Sequence, residues 1–196
     1  NVQNEQRDAA KEEQAAEKQF LKSSPDPIEA SKKLISAARH HRNAGRHEEV
    51  LGDRCVAADE FAAASDDYAK AAKIQIEAGN AYAAFRDQGE AADLAEHAAK
   101  LYEQCAQDAD ASGNQHAAMR FWSSADTCWE RVWLFWDRMY RYWRARQARA
   151  RDEDDPDEVG FRRHADEALK RSAEADRRSV NARERMEADA EALKPK

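Results

Sequence analysis

The strings Ala78-Gly79-Asn80 and Ser112-Gly113-Asn114 are near copies of each other, 34 residues apart, and Gly45 stands a further 34 residues upstream. The same interval relates Ala57, Ala91 and Ala125, and again Phe61, Ala95 and Trp129. Ala64, Ala98 and Val132 follow, with Leu101 and Phe135 one turn beyond in the later two copies. Packing explains such a pattern. Small residues at fixed points let two helices approach closely, and a bulky residue a turn later fills the gap and meets the next unit. The spacing places turns at Leu51-Gly52-Asp53 and at Arg86-Asp87-Gln88-Gly89, the second of which carries turn chemistry.

A period of 34 with a helix–turn–helix unit is that of the tetratricopeptide repeat, and residues 38–139 resemble that family. Glu77-Ala78-Gly79-Asn80-Ala81-Tyr82, with Glu90-Ala91 and Lys100-Leu101-Tyr102-Glu103, is similar to the soluble attachment proteins of vesicle fusion, stacks that bridge a helical bundle to an ATPase. The resemblance implies an all-α, right-handed stack of antiparallel helix pairs. It also implies a concave partner-binding face formed by Arg39, Arg42 and Arg46, then Lys73, Ile76, Asn80 and Ala83, then Gln107, Asp110 and Asn114. Glu77, Gln107 and Ala111 stand where the family's carboxylate clamp needs Asn or basic residues, so an acidic or helical partner is expected rather than a C-terminal tail. A second architecture stays open. Leu51, Cys55, Ala58, Ala62, Ala69, Ala72 and Ile76 share one helical phase, as do Ala92, Ala95, Ala99, Tyr102, Ala106 and Ala109. The Gly-Asn pairs then become loops between helices of an antiparallel bundle.

Composition agrees with helix throughout. About a fifth of the chain is alanine, Glu, Lys, Arg and Gln supply much of the rest, and only six Gly and four Pro interrupt them. No stretch alternates in the manner of a strand. Alanine buries little area per residue, so stability has to come from many close contacts along long helices. A net charge of −7 disfavours generic nucleic-acid or anionic-membrane binding by the whole molecule, and no apolar run has the length of a membrane span. The polar start, Asn1-Val2-Gln3-Asn4-Glu5, is no signal peptide. Without an initial Met it is expected to be a fragment or processed form. Cys55, Cys105 and Cys128 are odd in number and lack C-x-x-C spacing, so all three are expected to be buried free thiols. That points to an intracellular, reducing compartment, the cytoplasm or an organelle matrix.

Four segments follow from these readings: a polar arm and linker over 1–27, the stack over 28–151, an acidic linker over 152–160 and a polar helix over 161–196. Ser23-Ser24-Pro25-Asp26-Pro27 ends the arm. There Asp26 reads as an N-cap, Pro27 as the first helical residue and Glu29 as the capping-box acid.

The last helix of the stack differs from the rest. Trp122, Trp129, Trp133, Trp136, Tyr140 and Trp143 fall on one face, the pattern of a core that closes the stack or receives a terminal helix. Leu134, Phe135 and Tyr142 lie off that face and call for a second contact. Arg138, Arg141, Arg144, Arg146, Arg149 and Arg151 make its far end basic, a pattern that also fits a phosphate backbone. The six acids between Asp152 and Glu158 offer a local counter-charge. Beyond Gly160, Asp166–Lys170, Glu167–Arg171 and Glu174–Arg178 are stabilising i,i+4 pairs.

Phosphate loops, nucleophile elbows and metalloprotease motifs do not occur. His40, His41 and His47 gather no local carboxylate or thiol set, and no cofactor, metal or catalytic group is assigned. The expected function is a non-catalytic scaffold or subunit of a larger assembly that holds protein partners. The alternative is a nucleic-acid-associated subunit using the arginine helix over 129–151.

Overall fold

The computed structural model describes residues 2–20, 26–153 and 155–194. They form six helices: α1 (Val2–Phe20), α2 (Pro27–Leu51), α3 (Arg54–Glu77), α4 (Ala81–Ala111), α5 (Gln115–Asp152) and α6 (Glu158–Ala192). Each packs chiefly on its neighbours in the chain. Side chains reach one helix further: Gln6 of α1 to Glu60 of α3 (2.7 Å), Arg131 of α5 to Ser65 of α3 (2.8 Å), and Arg178 of α6 to Glu103 of α4 (2.8 Å). The result is an all-α stack of sequentially packed antiparallel helices, built as a helical repeat is built.

The turns explain the period. Gly52, Gly79 and Gly113 each adopt a left-handed conformation, with φ of 88°, 77° and 74°. In each case the next residue closes the same motif, its N–H donating five residues back: Asp53 to Glu48, Asn80 to Gln75 and Asn114 to Ala109. The closing residue then caps the following helix. Asp53, Asn80 and Asn114 side chains accept from Val56, Ala83 and Ala117 N–H. Asp26 caps α2 in the same way, from Ile28 and Glu29 N–H, with Pro27 just inside. Ser23, Ser24 and Pro25 lie outside the described residues.

The unit is therefore one long helix and its turn, and of the three glycine turns only Gly79 and Gly113 stand 34 residues apart. The turn expected at Arg86–Gly89 falls inside α4, which runs unbroken to Ala111. Gly45, aligned with Gly79 by interval, is likewise helical, and the corresponding turn comes seven residues later at Gly52. Seven residues are about two helical turns, so this displacement preserves the phase of the apolar face. For that reason Ala57, Ala91 and Ala125 are all buried, as are Phe61, Ala95 and Trp129, on three successive helices of one core. Gly45 stays useful where it is: a Cβ there would stand 3.1 Å from the Phe61 ring.

The terminal helices join the same packing. α1 buries Ala9 and Ala16, the latter among Ala30, Leu34, Ala71 and Ile74. α6 lies along α5 through Ala165, Ala168, Ala175 and Ala182. The tryptophan face of α5 is its seat. Arg171 covers Trp136 at 4.4 Å, Arg178 covers Trp129 at 5.0 Å, and Trp143 stacks on Phe161 and His164.

The expectation of three free thiols is also corrected. Cys55 and Cys105 form a disulfide between α3 and α4, their Cα atoms 5.9 Å apart. Fifty residues separate them in sequence, and no local spacing pairs them. Antiparallel packing brings the start of α3 beside the end of α4, where Arg54 also reaches Gln104 and Asp108. The inference of a reducing compartment rested on three free thiols, and only Cys128 remains one. Burial pushes that thiol up to about 12, so it is held protonated and unreactive. Among the described residues no helix is long and apolar enough to cross a membrane.

Candidate partner-binding groove

α3 and α5 flank the first half of α4 and leave a groove of about 500 Å3 above it. Ala69, Lys73 and Ile76 form one wall, and Arg131, Leu134, Phe135 and Arg138 the other. Gln88 and Ala91 form the floor. The spacings on the walls are those of a single helix face turned inward.

Apolar side chains around this groove are unusually open. Ile76 is 54 % exposed, Leu134 46 %, and Phe85 and Tyr142 about as much as Leu134. Phe85 sits between Phe135 and Tyr142, with ring centroids 6.3 and 6.4 Å away. Gly89 faces Phe135, whose ring tip would lie in ordinary contact, 3.7 Å, from a Cβ at that position. This is the second contact that Leu134, Phe135 and Tyr142 required, and it is only half made. Phe85 supplies part of it and solvent covers the remainder.

The charge over the groove is mostly positive. Arg131 is committed to the fold through Ser65 and Asp66. Lys73 and Arg138 form no ion pair or hydrogen bond among the described residues, and Glu77 is the acid beside them. On a chain of net charge −7 this is a local reversal of sign.

The predicted partner face is distributed over the molecule. Lys73 and Ile76 enter the groove, with Asn80 and Ala83 at the same end of the stack. Gln107, Asp110 and Asn114 lie at the other end of α4, roughly 40 Å away at 1.5 Å per residue. Several of these groups have internal work. Asn80 and Asn114 are caps, Asp110 accepts from the Trp122 indole at 3.2 Å, and Arg42 faces Glu90 at 3.5 Å. Arg39 and Arg46 are exposed on α2.

The basic run is similarly divided. Arg141 pairs with Asp137, Arg144 donates to Gln147, Arg146 lies over Phe161 and Arg151 faces Glu158. Arg138 and Arg149 have no such partner among the described residues, and Arg138 belongs to the groove. Phe85 was not foreseen as a site residue, because the turn expected at Arg86 placed it at a helix end. Its i,i+3 and i,i+4 relation to Tyr82 and Gly89 was the available signal.

No protein-family description and no curated protein matches the chain. Among solved structures, it is similar to a de novo designed helical repeat protein. That match has a TM-score of 0.47 and 21 % identity, and covers 98 % of this chain and 97 % of the other. It is also similar to a TPR repeats protein from Bacteroides fragilis, with a TM-score of 0.28 and 11 % identity over 98 % and 99 % of the two chains.

Proposed function

We propose that the protein is a scaffold that holds a partner by seating one amphipathic helix, acidic at its flanks, in the groove between α3 and α5. The observation that carries this reading is the group Ile76, Phe85, Leu134 and Tyr142, large apolar side chains left open beside the unpaired cations Lys73 and Arg138. An incoming helix would place residues at i, i+3, i+4 and i+7 along the walls and exclude water from these rings. Its carboxylates would meet Lys73 and Arg138, which favours encounter and register. A helical bundle, the partner implied by the resemblance to soluble attachment proteins, is one source of such a helix.

The test is a pull-down of the tagged chain with and without nuclease, with a photo-crosslinker at position 134. A protein set that survives nuclease, crosslinks there, and is lost in Ile76→Glu and Leu134→Glu supports the reading. Retention of that set by both variants removes the groove from consideration. Loss of the set on nuclease treatment, with a photo-crosslinker at position 141 or 149 capturing nucleic acid while the one at 134 captures nothing, replaces the reading with a nucleic-acid-associated subunit whose binding falls steeply with salt.

A further inference from the structure

The stack brings together three side chains that the sequence keeps far apart: Glu13 of α1, His41 of α2 and Asp67 of α3. One ligand atom from each lies within 4.8 Å of the other two. Asp67 is fully buried; its Oδ1 meets Lys70 at 3.2 Å and its Oδ2 has no partner. The Nε2 of His41 is also buried and without a hydrogen bond, 3.6 Å from the Oε1 of Glu13. Leaving two such atoms unsatisfied inside a helical core is costly, and a native structure usually gives them a partner.

We propose that Glu13, His41 and Asp67 form a binding site for a first-row divalent cation, with zinc as the reference ion.

The chemistry of the donors supports that class. One imidazole with two carboxylates is a donor set for zinc and its neighbours, whereas calcium and magnesium prefer oxygen alone. Ligands about 2.0–2.2 Å from a tetrahedral ion stand roughly 3.3 Å apart. The His41–Glu13 pair is close to that separation, and the long Glu13 stem can swing to complete it. The imidazole is already oriented. Its Nδ1 meets Glu60 Oε2 at 2.8 Å, and Glu60 Oε1 accepts from Gln6 at 2.7 Å. A carboxylate behind the ring fixes the tautomer and turns the Nε2 lone pair toward the ion. Three protein ligands leave a position for water. The opening lies on the Glu13 side, where that side chain is 39 % exposed against 14 % for His41. Lys70, largely exposed, keeps Oδ1 and leaves Oδ2 to the metal.

In the free cluster, burial pushes Asp67 up to about 6, while Lys70 pulls the other way. Burial also disfavours charge on His41, but the hydrogen bond and charge of Glu60, with Asp67 and Glu13, outweigh it and its pKa rises. A cation displaces those protons into solvent, so binding tightens as pH rises through this range.

The experiment is isothermal titration of zinc into the chelator-stripped full chain at pH 7.5, with 15N NMR of the histidine rings. One saturable site is expected, with Kd of roughly 10 µM or tighter, and a shift of the His41 Nε2 resonance. Asp67→Asn and His41→Gln should each weaken it at least about tenfold. Glu13→Gln tests the third ligand at a half-exposed position on α1, should either buried variant fail to fold. No saturable binding up to about 1 mM would overturn the proposal. So would binding that all folded variants retain, or a shift confined to His40, His47, His97, His116 or His164.

Discussion

At Gly45 a single hydrogen atom decides how closely α2 and α3 approach. Elsewhere in a helix, Gly→Ala gains about 1 kcal/mol from propensity. Here the new methyl would stand 3.1 Å from the face of Phe61, a buried ring with little room to move. Gly45→Ala should therefore forfeit most of that gain, and Gly45→Val should destabilise by about 1–3 kcal/mol through overpacking. Chemical denaturation measures both. A valine variant as stable as the parent would show that the ring can retreat. The interval of 34 marked Gly45 as special and gave the wrong reason, since a conserved helical phase and a moved turn leave the same trace in a sequence. Asp67 and His41 provide a second prediction at this scale. In chelator, Asp67 titrates near 6 when folded against 3.8 when free, so the native state holds a proton that the unfolded state has lost. Its contribution to stability falls as pH rises from about 4 to about 6. His41, raised above 6.5 when folded, contributes fully below that value and loses its contribution as pH rises through the folded pKa. Both signs agree. The urea midpoint of the parent, minus that of Asp67→Asn with His41→Gln, should fall from pH 4 upward. A flat or rising difference would mean that these groups are not protonated as the burial of Asp67 and the Glu60 carboxylate beside His41 dictate.

Single helices carry different risks. α6 has few large apolar side chains, and Leu169 and Val180 are half exposed. It is fastened by alanines and by cations laid over tryptophans: Arg171 on Trp136 and Arg178 on Trp129, with Arg178 also bonded to Glu103 and Glu174. Ending the chain after Asp157 should bare Trp136 and Trp143, raise binding of a hydrophobic dye and promote association. An unchanged monomer with no dye signal would refute that. The aromatic face of α5 was legible from its heptad-like spacing, and so was its role as a seat. The other side of α5 was half legible: Leu134, Phe135 and Tyr142 announced a contact, but Phe85 was hidden behind a turn that α4 does not make. The disulfide was not legible at all. Cysteines 50 positions apart meet only because long helices return, and composition carries no record of where a helix folds back. On the loop-entropy view, a closure of that length stabilises by about 4 kcal/mol. Reducing agent should therefore lower the unfolding midpoint of the parent and leave Cys55→Ser with Cys105→Ser unmoved.

Across the whole molecule, packing passes from each helix to the next, and no helix is surrounded. Such a stack behaves as a one-dimensional array, with stability set by each unit and its interfaces. The middle helices have two neighbours and α1 has one. Among its described side chains, α1 brings two buried alanines and a polar seam: Gln6 and Glu13 toward α3 and α2, Glu5 to His40, and Glu12 to Lys33. Hydrogen exchange should rank the helices accordingly, with amides of α3 and α4 opening only on global unfolding and those of α1 opening first and locally. α6 should lie between, because it has one neighbour but a long interface. The proposed cation site adds a specific perturbation. Glu13 is its only ligand from α1, so zinc should slow exchange in α1 selectively and leave α6 as it was. Glu13→Gln should cancel that protection while preserving the metal-free ranking. Uniform exchange along the chain would mean that the six helices unfold as one unit, and the array description would have to be abandoned. Protection by zinc spread equally over α1 and α6 would instead place the ion outside the Glu13, His41 and Asp67 cluster.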